Sequence, residues 1–161
     1  MKTLVAVYRT LKEADHAVTA LRGEAIADER ISLVARRPFA DGDGITTTVG
    51  DRREAGAATT TAITGMIAGF AALMIPYLGP VLAIGPLGVA AAAGTATTPE
   101  RTPLVPSLMA AGVPEPDAHA YVGAVRDGRA LVMTTVDEGE LDPAIRALAR
   151  WEPVRVVQHA A

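Results

Sequence analysis

Hydrophobic positions along this chain follow two regimes. Toward both ends they come in short, punctuated runs, and through the middle they are unbroken. Thr3 to Tyr8 is a β-rich run and predicts a strand. Thr10, with Glu13 three residues on, forms a capping box, and Ala14, Ala17, Val18 and Leu21 follow at helical spacing before Gly23. Ile31 to Arg36 predicts a second strand. Beyond residue 100, Leu104 to Ala111 predicts a short helix. A Gly112-Val113-Pro114 start leads into another with Ala118, Tyr121, Val122 and Val125 on its apolar stripe. Ala130 to Val136 is a third strand. Leu141, Ala144, Ile145 and Leu148 mark a last helix entered at Asp142-Pro143, and Val154 to Gln158 is a fourth strand.

The middle behaves differently. Ala55 to Pro99 carries no charged side chain over 45 residues. A single membrane crossing needs about 20 apolar residues, so the run has the length of two crossings or of one buried helical hairpin. Gly56 to Ile75 and Val81 to Thr97 are the two helix candidates, joined by a turn at Pro76, Tyr77, Gly79 and Pro80. Small residues Ala58, Ala62, Gly65 and Gly69 line the first candidate at the spacing that lets helix backbones approach closely and drives self-association. The expected fold class is therefore α+β: a ferredoxin-like split βαβ sheet with a hydrophobic two-helix hairpin inserted between the second and third strands. Residues 1–53 and 101–161 form the discontinuous α+β domain, and 54–100 the insertion.

Arg52, Arg53 and Arg101 flank the uncharged run while its turn has no charge, an arrangement that places both halves in the cytoplasm and the hairpin in the cytoplasmic membrane. Thr59, Thr60, Thr61 and Thr64 dilute the first helix, and Tyr77 is the lone candidate interfacial aromatic. The competing expectation is a cytoplasmic homo-oligomer, a scaffold or small-ligand sensor, that buries the hairpins at its centre. The N-terminal apolar stretch of about six residues is too short for a secretory signal, which needs about 7–15.

Composition removes several function classes. A net charge of −3 implies no nucleic-acid partner, and the absence of cysteine excludes disulfides, thiolate catalysis and cysteine metal sites. Ser32 and Ser107 sit in no nucleophile elbow, and no phosphate loop or dinucleotide fingerprint occurs. Asp41-Gly42-Asp43-Gly44 reads as a turn, since Arg52 stands where a calcium loop needs a bidentate glutamate. His16, His119 and His159, with Asp15 and Asp117 near the first two, lack metal-ligand spacing; His16 and His119 read as solvent-facing helix positions. Asp137, Glu138, Glu140 and Asp142 cluster where a strand gives way to a helix, which favours a capping role. Trp151 reads as packing. The expectation is a non-enzymatic protein with no catalytic residue, metal or cofactor.

The order of the pieces resembles the bacterial general stress protein 17M-like family. The likeness is carried by Val5-Ala6-Val7-Tyr8 followed by Glu13-Ala14, by Asp28-Glu29-Arg30-Ile31-Ser32-Leu33-Val34-Ala35, by the run from Ile75 to Leu87, and by Gly112-Val113-Pro114 leading to Ala118, Tyr121 and Gly128. Family members tend to have more glycine around the second helix, where this chain has Thr95-Ala96-Thr97-Thr98-Pro99. The resemblance implies a ferredoxin-like frame, a hydrophobic insertion and a link to stress response; it implies no catalytic residues.

Overall fold

In the computed structural model the described residues are 1–36, 71–75, 79–93 and 102–160. Strand β1 spans Lys2–Tyr8, helix α1 Leu11–Gly23 and strand β2 Ile31–Arg36, the last preceded by a 3-10 turn at Asp28–Arg30. Strands β3, Ala71–Ile75, and β4, Gly79–Ile84, lead into helices α2, Pro86–Ala93, α3, Leu104–Ala110, and α4, Glu115–Arg126. Strand β5, Ala130–Val136, helix α5, Leu141–Ala149, and strand β6, Arg155–Ala160, complete the chain.

The fold is α+β, as expected. Among the described residues the sheet has six strands in the order β3-β4-β2-β5-β1-β6, and every neighbouring pair is antiparallel. Because β1 and β2 both run against β5, they run parallel to one another with β5 between them. The same reasoning makes β5 and β6 parallel with β1 between them.

Helices cover both faces. One face packs Leu4, Ala6 and Tyr8 of β1 and Ile31, Leu33 and Ala35 of β2 against α1 and α5. The other packs Val5, Val7, Val34, Leu131 and Met133 against Leu87 of α2 and the apolar stripes of α3 and α4. The sequence records this double burial: β1, β2 and β5 are almost continuously apolar and buried along their length, whereas β6 alternates and is mostly open. Tyr8 closes the first core by donating its hydroxyl to the Leu148 carbonyl at 2.8 Å. Burial, with a smaller contribution from the Glu13 carboxylate, pushes its pKa up. Half of the capping box forms: the Glu13 amide donates to Thr10 Oγ1 at 3.2 Å, while the Glu13 carboxylate accepts from the Arg9 amide, one residue before the cap.

The uncharged middle corrects the expected hairpin. The last five residues of the first helix candidate, Ala71–Ile75, are strand β3. The start of the second, Val81–Ile84, belongs to strand β4, which pairs with β3 and with β2. Among the described residues of the run only Pro86–Ala93 is helical, and eight residues rise about 12 Å against a hydrocarbon thickness of about 30 Å. Among the described residues no helix is long and apolar enough to cross a membrane, which overturns the membrane-spanning expectation. The physical reason is punctuation. Pro76, Pro80, Gly85 and Pro86 break the run after Ile75 and isolate Val81–Ile84 at strand length, and a short apolar run has no periodicity that separates a buried strand from a buried helix.

Candidate functional site

Three places were singled out by composition and by charge: the uncharged insertion, the histidines and the acidic junction. In the insertion, Gly85 ends β4 at a φ of +83°, and a Cβ there would collide with the Ile31 backbone carbonyl. The close approach lets the chain turn at once into α2, whose Leu87 amide donates to the buried Ser32 hydroxyl at 3.1 Å. Ser32 is thus a cap supplied by β2, not a nucleophile. This joint fixes β4 beside β2 and leaves β3 as the terminal strand of the sheet among the described residues. The sequence of β3 is Ala71-Ala72-Leu73-Met74-Ile75: no charge, no proline and no glycine. Gly79 and Pro80, expected in a helical turn, open β4 opposite Ile75 and Met74. Pro76 and Tyr77, the small-residue positions Ala58, Ala62, Gly65 and Gly69, and the flanking Arg52, Arg53 and Arg101 lie outside the described residues.

The histidines separate into three environments. His159 is 6% exposed and sits on β6 opposite Thr3 of β1, under α4. Tyr121 of α4 is also buried, with its hydroxyl 3.0 Å from His159 Nε2. Burial first, and then the nearby Asp117 carboxylate, push the Tyr121 pKa up, with Arg155 opposing. Tyr121 therefore keeps its proton at neutral pH, and its hydroxyl shares with His159 Nε2 a hydrogen bond whose direction is set by the imidazole tautomer. Asp117 Oδ2 lies 3.9 Å from His159 Nδ1, and Asp117 Oδ1 lies 3.8 Å from Arg155. Thr3 donates to the Ala111 carbonyl at 2.6 Å. A carboxylate, an imidazole and a hydroxyl stand in series, but the hydroxyl is buried against the sheet rather than presented to solvent. The seam's chemistry is cohesion: it joins β6 and β1 to α4 and its preceding loop.

His119 is exposed and pairs loosely with Glu115 one turn away, as expected. His16 does not simply face solvent. It stacks on Trp151 with ring centroids 4.6 Å apart, and Trp151 packs against the first core. Asp117 and His119 do not converge, and no group of three metal-ligating side chains occurs among the described residues. The His159–Tyr121 pair was missed because Tyr121 reads as part of an apolar stripe and the predicted strand stopped at Gln158. Extending the alternation Arg155, Val157, His159 by one residue would have placed the imidazole on the covered face.

At the acidic junction Arg30 is the organiser. Its Nε donates to the Thr135 carbonyl at 2.7 Å, and its guanidinium grips Glu140 at 2.8 Å and reaches Asp137 at 3.8 Å. The Glu140 carboxylate also accepts from the Asp137 amide, and that bond first, then Arg30, lowers its pKa. Glu140 thus staples the turn into α5 instead of contacting the helix's own amides.

Compared with protein-family models, with curated proteins and with solved structures, the chain finds no match in any of the three.

Proposed function

We propose that this chain is a non-enzymatic homo-oligomeric scaffold that assembles in the aqueous phase through the outer edge of β3, the terminal strand of the sheet among the described residues. The observation that carries this reading is the composition of the terminal strand. Exposed sheet edges offer unpaired amides and carbonyls to other chains, and proteins normally blunt them with charge, proline or bulges. Ala71–Ile75 has none of these. A second copy pairing antiparallel on the same strand gives a two-fold, self-complementary contact and one continuous sheet of twelve strands across the dimer. The frame beneath it is, in this reading, a split βαβ of ferredoxin-like kind, with β3, β4, α2, α3 and α4 as the insertion between its second and third strands. The strand order β2-β5-β1-β6, with α1 and α5 on one face, supports that assignment. The resemblance to the general stress protein 17M-like family adds a role in stress response.

Sedimentation or light scattering in detergent-free buffer tests the proposal. The wild-type chain is expected as a defined oligomer. Leu73→Lys/Met74→Lys, which places one charge on each face of the edge strand, is expected as a monomer with an unchanged far-ultraviolet circular dichroism spectrum. A monomeric wild-type chain, or a folded double variant that keeps the oligomer, contradicts it.

A further inference from the structure

The charges of this domain are segregated along the strand direction. Strand register places the start of β1, the start of β2 and the ends of β5 and β6 at one end of the sheet. The segments beside these strand ends carry exposed Glu24, Glu29, Asp137, Glu138 and Asp142. Lys2, Arg22 and Arg30 also lie there but none is fully exposed, and Arg22 and Arg30 are held by Asp28 and Glu140 at 2.6 and 2.8 Å. The opposite end has the reverse balance. Arg9, Lys12, Arg126, Arg129, Arg150 and Arg155 are exposed there against the exposed acids Asp127 and Glu152. Two contacts confirm the grouping: Arg36 Nη1 donates to the Arg126 carbonyl at 2.8 Å, and the Val154 amide donates to the Val7 carbonyl at 2.7 Å. Of the six exposed bases only Arg155 has an ion pair among the described residues. The stretch 37–70 holds three arginines and four acids, so its charges nearly cancel.

A molecule acidic at one end and basic at the other is complementary to its own copy, placed head to tail. We propose that the basic end, around Arg126 and Arg129, docks the acidic end of a second copy, around Glu138 and Asp142. Because the two surfaces differ, the contact is heterologous and extends rather than closes. It uses neither β3 nor its edge, so it stands independently of the scaffold's lateral pairing. Exposed charge pairs are screened by salt, which separates the two contacts experimentally: apolar strand pairing persists where end-to-end docking dissolves.

The test uses the full chain and two charge reversals, Arg126→Glu/Arg129→Glu and Glu138→Arg/Asp142→Arg, followed by sedimentation velocity in low and high salt. The wild-type chain is expected to grow beyond its lateral oligomer at about 20 mM salt and to return to it at about 0.5 M, as screening lengths fall from tens of ångströms to a few. Each reversed chain alone is expected to lose the salt-dependent growth, with end-to-end association weakened about tenfold or more. A one-to-one mixture is expected to recover association, since each reversed end meets its complement. No salt-dependent growth of the wild-type chain, or growth of either reversed chain alone, overturns the proposal. So does a mixture that fails to associate while the basic end binds a 20-nucleotide single strand, because that would make the surface a general polyanion site.

Discussion

The two edges of the sheet are built in opposite ways. Strand β6 ends one side with Arg155 and Gln158 exposed, and His159 ties it inward to Tyr121 of α4. Among the described residues strand β3 ends the other side with five apolar residues and no charge. Charge and anchoring make the β6 edge a poor template for another chain, and the uncharged sequence of β3 makes it the better candidate.

Substitutions can break this comparison on either side. The largest effect is expected at the joint that positions the open side. Gly85→Ala places a methyl group against the Ile31 carbonyl at a positive φ. It should lower stability by about 2–4 kcal/mol, the range of core overpacking plus backbone strain, read by chemical denaturation. Hydrogen exchange should show β3, β4 and α2 loosening before β6. Next, Tyr8→Phe leaves the buried Leu148 carbonyl without its partner and should cost about 1–3 kcal/mol, affecting both sides alike.

The same tyrosine gives a pH dependence with a definite sign. Its folded pKa is raised above the unfolded value of about 10. Its contribution is therefore fully present below that value and is lost as pH rises above it, toward the folded pKa. Thermal melts of the wild-type chain should weaken above pH 10 more steeply than those of Tyr8→Phe. On the β6 side, His159→Ala removes the hydrogen-bond partner of the Tyr121 hydroxyl and should cost about 1–2 kcal/mol, with faster exchange at β6 amides and no change in oligomer size. The smallest stability effect is expected for Arg155→Val/Gln158→Val, within about 0.5 kcal/mol as for most surface changes. That variant strips β6 of its polar guard and should add a second, larger assembly to the sizing profile.

Much of the frame was legible because local signals agreed with the tertiary result. The Thr10–Glu13 box, the stripes Ala14-Ala17-Val18-Leu21 and Ala118-Tyr121-Val122-Val125, and the runs in β1, β2 and β5 each point to the element that forms. The 71–93 stretch was not legible, since Ala, Leu, Ile and Val at no clear period suit a strand between two apolar layers as well as a helix. What decides it is the docking of Val81–Ile84 on β2, a contact with residues some fifty positions earlier, together with the backbone approach at Gly85. The polar seam was half legible. Asp117 and His159 were visible as chemistry-bearing residues, but Tyr121 was hidden in an apolar stripe, and only one further step of the β6 alternation brings His159 into the strand. Arg30 was hidden for the same reason, its partners lying more than a hundred residues away.

The most direct test of the open edge is hydrogen–deuterium exchange of the wild-type chain across a concentration series. Pairing between copies predicts that the amides of Ala71–Ile75 gain protection as concentration rises, while those of Arg155–Ala160 exchange at a constant rate. If β3 exchanges at the same rate at every concentration, it is not the assembly edge and the account of this fold as a scaffold fails.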